Sequence, residues 1–136
     1  MLSIVVDTSA LVAIFKAEDD AEALAETMSQ ASLVVLPASC LVEAALLRQV
    51  GRGFFAWIED TMKDPRFEIG GISAPVAEIA AKAALSYGKG SGHPAQLNFG
   101  DCLSYAVAEF RDLPLLFTGT DFAETPIEPA VSTTRT

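Results

Sequence analysis

A single histidine, His93, and two cysteines, Cys40 and Cys102, are all that the 136-residue chain offers as imidazole or thiolate ligands. That excludes zinc sites built from clustered His and Cys, and also a disulfide framework, which needs several paired cysteines. Both cysteines fall in segments that read as helical and are expected to be reduced core residues. Basic residues are scarce too: 9 Lys and Arg stand against 18 Asp and Glu, a formal net charge of -9. Such a chain does not hold nucleic acid by a general basic surface, because phosphate neutralisation requires clustered Lys and Arg. Any nucleic-acid role must be local, metal-assisted or helped by a partner. No apolar run approaches the ~18 residues of a membrane span. The opening MLSIVVD lacks a basic stretch and meets an acid at Asp7, unlike a secretory signal. The expectation is a cytoplasmic protein with no membrane segment.

What is present is apolar material: 51% of the residues are hydrophobic, ample for one buried core. Residues 1–125 read as a single domain and residues 126–136 as a C-terminal tail that has little to bury and frays. Residues 2–6 are a β-branched run that predicts a buried strand ending at Asp7, followed at once by a helix that Thr8 and Ser9 can cap. Ala21, Leu24, Ala25 and Met28 mark a second helix, with Glu18, Asp19 and Asp20 beside its N-terminal end. Residues 32–36 predict a strand stopped by Pro37, and residues 38–50 a helix that Gly51 and Gly53 interrupt. Phe54, Phe55, Ile58 and Met62 share one face of the next helix, whereas Trp57 lies off that stripe. Residues 67–72 predict a weaker strand, diluted by Gly70 and Gly71. Pro75 opens a helix burying Val76, Ile79, Ala80, Ala83 and Tyr87, and residues 88–94 form a loop. Residues 100–112 predict a helix with Leu103, Ala106, Val107 and Phe110 inward, and residues 115–118 a last strand. Apolar strands alternating with helices make an α/β domain with a mainly parallel central sheet flanked by helices.

In such a sheet, ligands bind beyond the carboxyl ends of the strands. Four acids from distant positions map to that rim. Asp7 ends the first strand, Glu43 lies early in the helix after the second, Asp101 begins a helix returning to the same edge, and Asp121 follows the last strand. At an effective dielectric of about 20, two carboxylates about 5 Å apart repel by roughly 3 kcal/mol, so either some take up protons or a cation sits among them. All-oxygen ligation suits Mg²⁺ or Mn²⁺ better than zinc, and hard cations with open positions equip phosphodiester-cleaving sites. Taken singly, each acid also has a structural reading: Asp7 and Asp101 as helix caps, Asp121 as a surface loop aspartate. Glu43 resists that treatment, because its helical neighbours Cys40, Leu46 and Leu47 place it on or beside an apolar face.

The stretches IVVDTSAL at residues 4–11, CLVEAALL at 40–47, HPAQLNFGDCLSYAVA at 93–108 and LLFTGTDF at 115–122 resemble the PIN-domain family, and within it the VapC-like toxin endoribonucleases. They occur in the family's order and span nearly the whole chain. The resemblance implies a PIN-like three-layer fold and a Mg²⁺ or Mn²⁺ site made by Asp7, Glu43, Asp101 and Asp121, with Asp7 and Asp101 touching metal directly. It implies supporting or water-orienting roles for Thr8, Ser9 and Thr118. The activity implied is endonucleolytic cleavage of RNA by metal-activated water, as the toxin of a toxin–antitoxin pair. Related toxins often carry more basic residues before the H-P-A segment. Here Lys82, Lys89 and His93 are the candidates for RNA contact. A cognate VapB-like antitoxin and a homodimer are further family expectations, and Trp57 is a candidate anchor for the antitoxin. The competing reading is a catalytically silent PIN-like binding module. A phosphoacceptor receiver domain fits poorly, since Asp7 is followed by Thr8 where an acidic pair is needed and Gly119-Thr120-Asp121 stands where a late lysine is needed.

Overall fold

The computed structural model describes residues 2–131, so the Ser and Thr run at 132–134 of the expected tail lies outside the described residues. Four parallel strands, β1 (Ser3–Val6), β2 (Leu33–Pro37), β3 (Phe67–Gly70) and β4 (Leu115–Leu116), are ordered β3-β2-β1-β4. The chain steps outward from β1 to β3 and then returns to lay β4 on the other side of β1. The strand order therefore reverses at β1, and the connections leaving β1 and β4 separate there, as at the ligand-binding crevices of open α/β sheets.

The helices are α1 (Thr8–Phe15), α2 (Ala21–Gln30), α3 (Ala38–Leu46), α4 (Phe54–Thr61), α5 (Ala74–Tyr87) and α6 (Phe99–Arg111). They cover both faces of the sheet. Ile4, Val6, Val34, Leu36 and Leu116 pack with residues of α1 to α4, whereas Val5, Val35 and Leu115 pack with residues of α5 and α6. Adjacent strand residues point to opposite faces, so burial on both sides turns the expected alternation into an unbroken apolar run. This is the three-layer α/β arrangement expected from the sequence. On the α5–α6 side the layers approach closely: a Cβ on Gly70 would lie 2.8 Å from Val35 Cγ1 and 3.1 Å from Val107 Cγ1. The glycine that weakens β3 as a sequence signal is what lets α6 pack there. Cys40 and Cys102 are both buried and free.

Several local expectations are corrected. Asp7, rather than Thr8 or Ser9, caps α1, its Oδ2 accepting from Ser9 N at 2.9 Å. Pro37 is the last residue of β2, paired with Gly70. α3 stops at Leu46, and a separate 3-10 turn covers Arg48–Val50. Phe110 is 51% exposed rather than inward. Trp57 is half-buried against Phe15 and Phe54, with ring centroids 5.6 and 6.2 Å away. The expected fraying is contradicted up to Ala130: Leu115 N donates to Glu128 O, Ala130 N donates to Leu115 O, and Ala130 is buried. Those bonds occupy the outer edge of β4, a long-range pairing that tail composition does not reveal. Elsewhere Arg66 ties α2 to β3, donating to Met28 O, Ser29 O and Ala31 O while its guanidinium also grips Asp64.

Candidate active site

Asp7 is buried at the point where β1 turns into α1, and both its oxygens are engaged. Oδ2 accepts from Ser9 N at 2.9 Å and Oδ1 accepts from Ser104 Oγ at 2.6 Å. Glu43, on α3, is half-buried and faces the start of α6, where a Cβ on Gly100 would lie 3.1 Å from Glu43 Oε2. Asp101 sits in the first turn of α6. Its Oδ2 accepts from Asn98 N at 3.1 Å while Asn98 Oδ1 accepts from Asp101 N at 2.8 Å, a reciprocal cap. Asp121 is exposed, just ahead of the 3-10 turn Phe122–Glu124. The structural reading of Asp7 as a helix cap is therefore correct, whereas the cap of α6 is Asn98 and Asp101 completes its capping box from the third helical position.

The acids nevertheless bear on Asp101 and Glu43. The Asp101 carboxyl is pushed up to about 6, first by burial, against a partial offset from the Asn98 backbone, and then by the charges of Asp7, Asp121 and Glu43. Glu43 is also raised, chiefly by burial and further by Asp7. The Thr8 hydroxyl is buried and makes no hydrogen bond of good geometry, yet it is near enough to Glu43 to offset part of that rise. None of the ion pairs among the described residues involves these acids. Oxygen donors, uncompensated negative charge and an orphaned buried hydroxyl are a donor set that fits a hard divalent cation. As they stand, though, the side chains do not converge: among the described residues no three acidic, histidine or cysteine groups are close enough to enclose an ion.

The same stretches of chain that carry this rim match a family model described as PIN domain, over residues 4–128. The chain belongs to the PIN domain family. Ribonuclease VapC28 of Mycobacterium tuberculosis is 38% identical to it over 129 residues, covering 93% of this chain and 97% of that protein. Ribonuclease VapC42 of the same organism is 40% identical over 128 residues, covering 93% and 98%. Among solved structures, M. tuberculosis VapC20, a sarcin-ricin loop cleaving toxin, has the same fold with a TM-score of 0.75 at 18% identity, covering 96% of this chain and all (100%) of that one.

Within this PIN domain the hydroxyl residues serve the loops more than the acids. Ser9 Oγ accepts from Thr118 N at 3.2 Å, joining the start of α1 to the segment after β4. Thr118 Oγ1 in turn donates to Asp20, which anchors that segment to the approach of α2. The sequence marked Asp20 only as a favourable acid near a helix end. Lys82 and Lys89 are exposed, and neither is among the charges acting on Asp101. His93 is half-buried, its Nδ1 accepting from Ala95 N at 3.1 Å and its ring set edge-on to Tyr87. Ser104 was missed altogether. Its signal was the one serine in the buried run at 102–108 of α6, which is otherwise apolar or small apart from Tyr105.

Proposed function

We propose that this PIN domain is a divalent-metal-dependent endoribonuclease and the toxin of a toxin–antitoxin pair, with Asp7, Glu43, Asp101 and Asp121 as its metal-holding and catalytic acids. The observation that carries the proposal is the meeting of four acids at the sheet's carboxyl edge, where burial first and then the charges of Asp7, Asp121 and Glu43 lift Asp101 to about 6 with no compensating ion pair among the described residues. The ribonuclease activity is supported by the relatives named as VapC ribonucleases, whose length this chain nearly spans.

Asp7 and Asp101 hold Mg²⁺ or Mn²⁺ directly, with Glu43 and Asp121 as ligands or acting through water. Such an ion lowers the pKa of a water molecule toward neutrality and offsets charge at the phosphate. Thr8 adds a buried oxygen beside Glu43, while Ser9 and Thr118 hold together the two loops that frame the acids. RNA is the substrate, with Lys82, Lys89 and His93 as contacts beyond the metal. A VapB-like antitoxin is the partner, and the net charge of -9 favours one that presents arginines to the acidic rim. The assembly is a homodimer.

The test is incubation of the purified chain with total RNA in Mg²⁺, Mn²⁺ or EDTA, beside an Asp7→Asn/Asp101→Asn double variant. Discrete cleavage that needs metal and disappears in the variant is expected. The incomplete convergence of the carboxylates favours one other reading, a catalytically silent PIN-like binding module. Folded, metal-replete protein that leaves varied RNA pools intact would establish that reading instead.

A further inference from the structure

Ser104 is 0% exposed in the middle of α6, yet its hydroxyl donates to Asp7 Oδ1 at 2.6 Å across 97 residues of sequence. On its other side lies Cys40 Sγ, at 3.3 Å. A serine has one proton to give. Since Asp7 receives it, the thiol must be the donor in the second contact, and a directed chain runs from Cys40 S–H on α3, through Ser104 O–H on α6, to the carboxylate at the end of β1. Cys40 is itself 1% exposed, so both members are enclosed by packing. The second Asp7 oxygen is held by Ser9 N. With both oxygens taken by donors from different elements, the carboxylate has one setting.

We propose that Ser104, seated by Cys40, is a positioning residue that fixes the Asp7 carboxylate for divalent-metal binding. This rests on the reading of Asp7 as a metal ligand. A hydroxyl that merely satisfied a buried carboxylate would affect folding and leave metal affinity alone. The two roles differ in what they predict for the ion.

The experiment is Mn²⁺ titration of the full metal-free chain, with free Mn²⁺ followed by electron paramagnetic resonance and near-ultraviolet circular dichroism recorded for every variant. Wild-type protein binds Mn²⁺ and Asp7→Asn does not. Ser104→Ala keeps its dichroism and binds about 10- to 100-fold more weakly, as expected for loss of a ligand's supporting hydrogen bond. Cys40→Ala loses affinity severalfold, and Cys40→Ser, which keeps a donor, recovers most of it. Wild-type affinity in folded Ser104→Ala overturns the proposal. Should that variant not fold, Cys40→Ala carries the test, and wild-type affinity in that variant overturns the proposal. Wild-type protein that takes up no Mn²⁺ overturns the metal-site reading itself, a result distinct from a Ser104 effect that is absent while binding persists.

Discussion

Gly100 and Glu43 are so closely apposed that a Cβ at Gly100 would come 3.1 Å from Glu43 Oε2. The glycine lies in the first turn of α6, where alanine is the better helix former by up to about 1 kcal/mol. Gly100→Ala is expected to leave thermal stability unchanged or slightly raised while pushing the Glu43 carboxylate aside. Metal-dependent RNA cleavage should fall roughly tenfold, in the range found for disturbed ligand surroundings. Melting curves and cleavage rates on the same preparation check this; parallel losses in both would mean that the contact serves folding alone.

Acidity acts on the metal-free site with a definite sign. Asp101 titrates at about 6 in the folded chain against an ordinary 3.8. The folded state therefore binds its proton more tightly than the unfolded chain does, and protonation favours folding. The contribution is most favourable below about pH 4 and is lost as pH rises through about 6. Glu43 shifts in the same direction, whereas Asp64, held low by Arg66, works against both. The comparison must accordingly be made between proteins. In EDTA, wild type should gain stability relative to Asp101→Asn as pH is lowered from 7 to 4. A constant difference across that range would remove the assignment.

Much of the fold could be read because its signals are local. Unbroken β-branched runs marked β1 and β2, and the spacing of Leu24 and Met28 marked α2. Glu43 was found through the apolar company of Cys40, but Leu46, taken as part of the same face, is 69% exposed. What stayed hidden depends on contacts between remote segments. Ser104 meets Asp7 only after α6 has packed across the sheet, and the pairing of Glu128 and Ala130 with Leu115 depends on where β4 lies. The lysines posed a different difficulty. Sequence named Lys82 and Lys89 as RNA contacts around the loop before His93, and the structure leaves both as exposed side chains, a placement that suits RNA contact and solvated surface alike.

Arg66 offers a test of stability uncoupled from the site. Its donors satisfy three carbonyl oxygens at and just beyond the end of α2 besides gripping Asp64. Charged hydrogen bonds contribute about 1.5–3 kcal/mol each when well shielded, and partial exposure reduces that. Arg66→Ala is expected to cost about 2 kcal/mol, lowering Tm by roughly 6–10 °C for a chain of this size. Arg66→Lys should recover little, since an ammonium cannot reproduce the planar fork. Urea denaturation of the three proteins measures the effect, and RNA cleavage below the transition should be preserved in each.

Gly70 sets the spacing between β3 and α6. Gly70→Ala brings a methyl to 2.8 Å from Val35 Cγ1 and 3.1 Å from Val107 Cγ1, and the overpacking should cost about 1–3 kcal/mol. Adding Val35→Ala opens space at the nearer contact, so the double variant should be more stable than the sum of the two single losses implies. Strict additivity in denaturant unfolding would show that the strain is relieved elsewhere.

The segment that runs alongside β4 has a bearing on colloidal behaviour. With Leu115 N bound to Glu128 O and Leu115 O bound to Ala130 N, the outward backbone donor and acceptor of that short strand are already taken. An open strand at the margin of a parallel sheet is a template on which another chain can grow. Here the protein's own C-terminal stretch occupies the template first, so cleavage near Ile127 would not merely shorten the molecule. It would create an adhesive margin on a sheet that otherwise has none on that side, turning a trimmed chain into a seed for self-association.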